Sequence, residues 1–381
     1  MEYFKFFNPT KIVFGKNTIN QIGEYVAEHK FKKVIILYGG GSIKSNGVYD
    51  SVVNSFKLNN IEWIEFAGVQ PNPVVNHARE AIKMIKEYGA EAIIAVGGGS
   101  VIDEAKAIAA GIYVEDVWNI LERKETITKA LPLFTVLTLS ATGTEMNSFA
   151  VLSNPEEKKK WSFGSPYSFP LVSIIDPTVQ TSLPWRQTIN GGVDSISHIL
   201  ELYFAGDETA EPTLAVNEAL IRTIISSVDK LQLDESDYDS RANLAWCASL
   251  ALSGFSSVAM NGGEWTVHRI EHAISVLFPK VAHAEGLAVV FPAWIKYVNK
   301  ENPERFRRWA KNIFNDDNIE DGIESLIKIF KKWKAPVTLS ELGINPDFIP
   351  ALAENAMQQG TLGNFRKIEY DDVVNILNLT L

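Results

Sequence analysis

Asp194 and His198 lie four residues apart in Asn190-Gly191-Gly192-Val193-Asp194-Ser195-Ile196-Ser197-His198. The apolar spacing that continues to Phe204 predicts a helix, so both side chains leave one face and can hold a single cation between them. A carboxylate with an imidazole suits Zn2+ or Fe2+ better than Ca2+, which takes oxygen ligands. Alone, the pair reads by default as a polar helix face. His268, His272 and His283 change that reading, because they bring three of the chain's six histidines into sixteen residues. His268 and His272 again stand at i, i+4, and His283 follows a break at Pro279. One isolated histidine is most often a hydrogen-bonded core residue. A cluster in a domain that already carries an Asp-x-x-x-His helix points to a catalytic metal, with four N/O ligands from three segments and a position left open. His29 and His77 lie on amphipathic helices among Glu, Lys and Arg and are expected at the surface.

A second chemistry sits in Gly97-Gly98-Gly99-Ser100-Val101-Ile102-Asp103, which follows a buried strand and opens a helix. Glycines there let backbone approach a pyrophosphate, and the helix N-terminus supplies amide donors. The plain alternative is a tight turn capped by Ser100 with Asp103 three residues on; both can hold at once. Neither Gly-x-x-x-x-Gly-Lys-Ser/Thr nor Gly-x-Gly-x-x-Gly occurs, so the P-loop and the usual dinucleotide fingerprint do not apply. Ser140-Ala141-Thr142-Gly143-Thr144-Glu145 offers further hydroxyl and amide donors. The whole reads as a nucleotide-like anion site.

The elements that must position these residues divide in two. Strands at 11–15, 34–38, 61–66, 92–96 and 133–138 alternate with helices at 18–30, 47–58, 74–88 and about 99–110. That alternation predicts an α/β dinucleotide-binding domain, residues 1–182, with a mainly parallel sheet and ligands at the strands' carboxyl ends. Phe149–Leu152 and Leu171–Ile175 read as the arms of a hairpin around a charged tip at 154–160. From Leu183 the runs are longer and helix-periodic: 185–204, 210–231, 238–259, 264–277, 284–298, 303–314, 318–334 and 370–379. Residues 183–381 are thus expected to form an all-helical metal-binding domain.

Composition narrows the class. With 46% hydrophobic and 22% charged residues the chain is globular. A net charge of −10 without a basic run argues against nucleic acid or an anionic membrane as partner. The single cysteine, Cys247, excludes an intrachain disulfide and a cysteine-based zinc cluster, and reads as a small buried hydrophobe. No signal-peptide core and no apolar stretch of membrane-spanning length is present, which predicts a cytoplasmic protein.

Taken together, the 97–103 turn, the 190–198 segment and the spacing of His268, His272 and His283 resemble the iron-activated (group III) alcohol dehydrogenase family. Tyr38-Gly39-Gly40-Gly41-Ser42-Ile43-Lys44 and Leu139–Glu145 resemble its butanol dehydrogenase and aldehyde reductase branch. The resemblance implies a nicotinamide dinucleotide between the two domains and one divalent metal, Fe2+ or Zn2+, on the helical one. It implies Asp194, His198, His268 and His283 as metal ligands and His272 as a nearby non-ligand close to the nicotinamide; protonation of the alkoxide is expected through His272 or bound water. It places the pyrophosphate on Gly98, Gly99 and Ser100, with Asn72, Thr138, Thr142, Val151, Lys160, Thr181 and Leu183 lining the groove. Gly39, Gly40, Gly41 and Ser42 would take the adenosine ribose. Members selective for NAD carry a carboxylate there, which bonds the 2′-hydroxyl and repels a 2′-phosphate; this turn has no acid until Asp50, so NADP(H) is expected over NAD(H).

The expected activity is hydride transfer between NAD(P)H and small aldehydes or primary alcohols, by a homodimer such as relatives often form. A glycerol-type polyol dehydrogenase and a non-catalytic nucleotide- or metal-binding protein are the alternatives. A dehydroquinate synthase-like lyase would want several cations near the metal, and segments 190–204 and 262–288 hold only Arg269 and Lys280.

Overall fold

The structure is a computed structural model that describes residue 1 and residues 3–381. The chain folds into two compact units, an α/β unit of residues 8–183 with 236–245 and a helical unit of residues 1–7, 184–235 and 246–381.

The α/β unit is built on β1 (Lys11–Phe14), β2 (Lys33–Tyr38), β3 (Glu62–Ala67), β4 (Ala92–Gly97), β5 (Leu133–Leu137), β6 (Phe149–Asn154), β7 (Lys159–Gly164) and β8 (Val172–Ile175). Six of these form one sheet in the order β1-β8-β5-β4-β2-β3, and every pairing in it is parallel. Its central strands are continuous apolar runs because helices cover both faces: every residue of β4 and β5 is buried. From β2 the chain goes outward to β3, then returns across β2 to β4 and on to β5. The order reverses between β2 and β4, whose ends are in register at Tyr38 and Val96. The turns after these two strands, 39–41 and 97–99, therefore leave neighbouring strand ends at a topological switch point, where open α/β sheets take ligands.

One expectation fails here. Phe149–Asn154 pairs antiparallel with Lys159–Gly164 in a separate two-stranded ribbon, while Val172–Ile175 lies in the large sheet between β1 and β5. Val172 to Ile175 are all buried, and such an unbroken apolar run belongs in a sheet covered on both faces. Two lysines at the start of β7 disguise that strand as hairpin tip; the tip is confined to residues 155–158, with Lys158 at φ 52°.

His29 and His77 are half-buried rather than surface residues. The His29 ring meets Phe134 edge-on at 5.4 Å between centroids. His77 bonds the buried carboxylate of Glu104 through Nδ1 and the Ala67 carbonyl through Nε2 at 3.0 Å.

In the helical unit the helix Trp185–Ala205 is buried on every side from Gly191 onward. Gly192 makes this possible, since a Cβ there would stand 2.8 Å from Val228 Cγ2. Glu211–Leu231, Thr266–Leu277, His283–Val298, Pro303–Trp309 and Ile319–Trp333 are further helices of this unit. Phe204 stacks on Phe306 at 4.3 Å and meets Trp294 and Trp309 at 5.6 and 5.9 Å, an aromatic core beneath the site. The helix expected over 238–259 ends at Ala251, and Ile349–Ala356 is a helix that periodicity alone does not announce.

Candidate metal centre and cofactor turn

Trp185–Ala205 presents Asp194, His198 and Glu201 on one face, at i, i+4 and i+7. His268 comes from Thr266–Leu277, and His283 is the first residue of the next helix. Ligand atoms of Asp194, His268 and His283 all lie within 4.8 Å of one another. Asp194 Oδ1 stands 3.6 Å from both His198 Nδ1 and His283 Nε2. The His198 and His268 rings lie 4.7 Å apart, and His268 and His283 5.4 Å.

Four buried atoms here have no hydrogen-bond partner among the described residues: Asp194 Oδ1, His198 Nδ1, His268 Nε2 and, behind His268, Glu201 Oε2. Leaving one buried polar atom unpaired costs about 1–3 kcal/mol, and ordinary core histidines avoid it. The ligand atoms of Asp194, His268 and His283 are close enough to share one cation, while His198 lies outside that 4.8 Å grouping and borders it through Asp194. Burial, reinforced by His268 and His283 and opposed by Asp194, drives the His198 imidazole down to about 3, so it is neutral and ligand-ready. The donor set fits a divalent metal of the Fe2+ or Zn2+ type.

Two glutamates that sequence reasoning overlooks fix the histidines. Glu201 Oε1 accepts from His268 Nδ1 and from the His268 backbone N–H, both at 3.0 Å. The His268 Nε2 is thereby turned to the cluster. Glu271 bonds His283 Nδ1 and the Ser275 hydroxyl, which leaves His283 Nε2 toward Asp194. Both carboxylates are fully buried. Carboxylate-backed imidazoles are the usual outer support of a metal site, setting tautomer and ring angle. Their signal is present in the chain: a lone acid inside Leu200-Glu201-Leu202-Tyr203-Phe204, and one three residues after His268.

His272 also approaches Glu271 and His283 within 4.8 Å. That grouping is the poorer cation site, because both Glu271 oxygens and His283 Nδ1 are engaged with each other and with Ser275. His272 is half-buried, its ring 5.7 Å from that of His283.

In the α/β unit, Gly98 caps the helix Gly99–Gly111, with Ser100 in its first turn. A Cβ on Gly99 would lie 2.6 Å from Thr142 Oγ1, so backbone and the Thr142 loop meet in direct contact. Thr138 continues β5 and donates its N–H to Gly97 O at 3.0 Å. Gly40 and Gly41 face open space: nothing lies within 4 Å of a Cβ built on either. Asn72, at φ 57°, sits in a loop tied to β6 by Ser153 N–H donating to Pro73 O at 2.8 Å. Lys160 is buried opposite Ser153 on β7, not solvated as its charged run suggests. Thr181 lies in the 3-10 segment Pro177–Ser182, which Leu183 ends.

Behind the turn at Gly97–Gly99 lies a buried network. Lys106 Nζ donates to Thr144 Oγ1 (2.7 Å), Asn147 O (2.8 Å), Asn147 Oδ1 (3.1 Å) and Phe149 O (2.7 Å). Asp103 accepts from the Thr144 hydroxyl at 2.6 Å and from Val151 N–H at 3.0 Å. Burial pushes the Lys106 ammonium down to about 7, against the pull of Asp103 and Glu145.

A doubly covered parallel sheet with two glycine turns at its switch point, and a helical unit with a buried Asp/His cluster, define a metal-dependent, nicotinamide-linked oxidoreductase. The model of the iron-containing alcohol dehydrogenase family matches residues 9–177, and that of the family's C-terminal domain matches residues 188–381. The chain belongs to this family of alcohol and aldehyde oxidoreductases. It is 38% identical over 390 residues to the probable NADH-dependent butanol dehydrogenase 1 of Bacillus subtilis (strain 168), covering 100% of both chains. It is 33% identical over 370 residues to an NADPH-dependent aldehyde reductase of Escherichia coli (strain K12), covering 94% of each. Among solved structures, the NADH-dependent butanol dehydrogenase A of Thermotoga maritima superposes with a TM-score of 0.97 at 48% identity, over 100% of this chain and 99% of that one.

Proposed function

We propose that the protein reduces small aldehydes to primary alcohols, with Asp194, His198, His268 and His283 holding Fe2+ or Zn2+. The observation that carries this is the grouping of Asp194, His268 and His283 ligand atoms within 4.8 Å of one another, with Asp194 Oδ1 and His268 Nε2 unpaired and His198 Nδ1 3.6 Å from Asp194 Oδ1. When bound, the metal supplies Lewis acidity toward a carbonyl oxygen, and the nicotinamide supplies the hydride. Glu201 and Glu271 lock the imidazoles of His268 and His283, so the ligand atoms need no rearrangement when substrate arrives. His272, held beside His283, delivers the proton that completes the alcohol. Gly98, Gly99 and Ser100 take the pyrophosphate on the helix N-terminus, with Asn72, Thr138, Thr142, Val151, Lys160, Thr181 and Leu183 along the groove.

NADPH is the preferred cofactor in this reading. Gly40 and Gly41 leave space, and Ser42 follows directly. An acid near this turn, Glu65 of β3, is already engaged: it accepts from Lys44 Nζ and Tyr38 OH at 2.9 Å and from Tyr49 OH. It is neutralised rather than offered to a ribose. Most of the similar proteins are named as NADH-dependent and fewer as NADPH-dependent, so the reading for NADPH rests on this turn alone. The test is kcat/KM for butanal with each cofactor. NADPH should win in the wild type, and Gly40→Asp, which fits without a clash, should cost NADPH turnover about 10- to 100-fold through like-charge repulsion. No turnover with any aldehyde and either cofactor refutes the function; a wild type favouring NADH refutes the selectivity.

The working unit is a homodimer. Tyr3, Phe4, Phe6, Phe7 and Phe255 are exposed, with Phe6 edge-on to Phe255 at 6.2 Å, and an apolar patch of this kind marks an interaction surface. A sedimentation mass of one 42.3 kDa chain would exclude it.

A further inference from the structure

Five of the seven residues from Ala259 to Trp265 have left-handed backbone: Ala259 (φ 58°), Asn261 (48°), Gly262 (79°), Gly263 (83°) and Trp265 (63°). Glycine adopts that region freely; a tryptophan does so only where its surroundings enforce it. The enforcement is visible. Asn261 Nδ2 donates to Ala205 O at 3.1 Å, and Glu264 N–H donates to Glu201 O at 2.8 Å. The Glu264 carboxylate accepts from the backbone N–H groups of Asn364 and Phe365 at 2.7 and 2.6 Å. Strain maintained in this way gathers at functional sites, and here it decides where one side chain lies. The Trp265 indole folds over Gly263, where a Cβ would meet Nε1 at 2.5 Å, and its Nε1–H donates to Gly262 O at 2.5 Å. Its ring stands edge-on to His268 at 5.3 Å and 6.3 Å from His198, and the residue is half-buried.

We infer that Trp265 is a specificity-determining residue, the aromatic wall that limits which aldehydes reach the His198–His268 side of the metal centre. This rests on the aldehyde-reductase reading above. A ring locked by its own N–H and by the turn beneath it is a rigid apolar surface. It admits a slim unbranched chain and excludes branching close to the carbonyl. A ring needed only to brace the two imidazoles would affect every substrate alike.

The experiment compares metal-loaded wild type with Trp265→Gly and Trp265→Phe. Glycine suits a φ of 63°, so that variant removes the ring and leaves the turn relaxed; phenylalanine keeps an aromatic without the N–H anchor. Metal per chain is measured by elemental analysis, and kcat/KM is measured for butanal and for 2-ethylbutanal. Metal should stay stoichiometric in both variants. The preference for butanal should fall by about tenfold or more in Trp265→Gly, with Trp265→Phe between. An unchanged ratio with metal intact, or loss of metal from both variants, overturns the inference and leaves the aldehyde-reductase reading standing. A wild type with full metal and no activity on either aldehyde removes that reading and this inference with it.

Discussion

His268→Ala is expected to bind no stoichiometric metal and to lose butanal turnover by about 10^3-fold or more, the scale of removing the main electrostatic stabiliser of a reaction. His268 Nε2 is unpaired and buried, its ring belongs to the grouping with Asp194 and His283, and its other nitrogen is already committed to Glu201. No neighbour can replace it. The fold should survive, because the residue comes from a helix packed within the helical unit, while the glycine turns belong to the α/β unit. NADPH binding, followed by fluorescence, should therefore persist. His272→Ala is the control with the opposite expectation: metal retained, turnover slowed by about 10^2-fold, and an altered pH profile if it supplies the proton. Wild-type-like reduction by metal-free His268→Ala would end the metal assignment. Loss of metal from His272→Ala would show the grouping with Glu271 to be the true site.

The two glycine turns, the Asp-x-x-x-His helix and the histidine cluster are legible in the sequence because each combines residue types that local structure alone does not require. The buried parallel strands are legible from unbroken apolar runs. What escapes is set by tertiary context. Lys159 and Lys160 make β7 look like a solvated tip, although the Lys160 stem and head lie buried along the ribbon. Glu201, Glu271 and Lys106 are charges set among apolar helix residues, and sequence alone cannot say whether such a charge has a buried partner. The break after Ala251 is marked by Ser253-Gly254 and Ser256-Ser257, with Gly254 at φ 89°, a turn signal that the apolar periodicity overrides. The residues most easily missed are those that hold the site in place: Lys106 and Glu201 find partners 41 and 67 residues away, and Glu271 reaches His283 on the next helix.

Lys106→Met is expected to destabilise the α/β unit by about 3–5 kcal/mol and to weaken NADPH binding by about tenfold or more, while leaving metal content unchanged. Methionine fills a similar length, yet it gives nothing to the Thr144 hydroxyl, to the carbonyls of Asn147 and Phe149, or to Asn147 Oδ1. All four sit between Gly143 and Val151, the segment that packs Thr142 against Gly99 and offers Val151 N–H to Asp103. Without the ammonium, the negative charge of Asp103 loses its buried counter-charge, and the segment is free to draw away from the turn at Gly98, Gly99 and Ser100. The effect should appear as a raised KM for NADPH with kcat at saturation changed less than about threefold, since Asp194 and the histidines lie on other helices. Thermal unfolding and cofactor titration measure the two halves separately. A Lys106→Met protein with wild-type melting temperature and wild-type KM for NADPH would show that this network neither holds the fold nor shapes the cofactor turn.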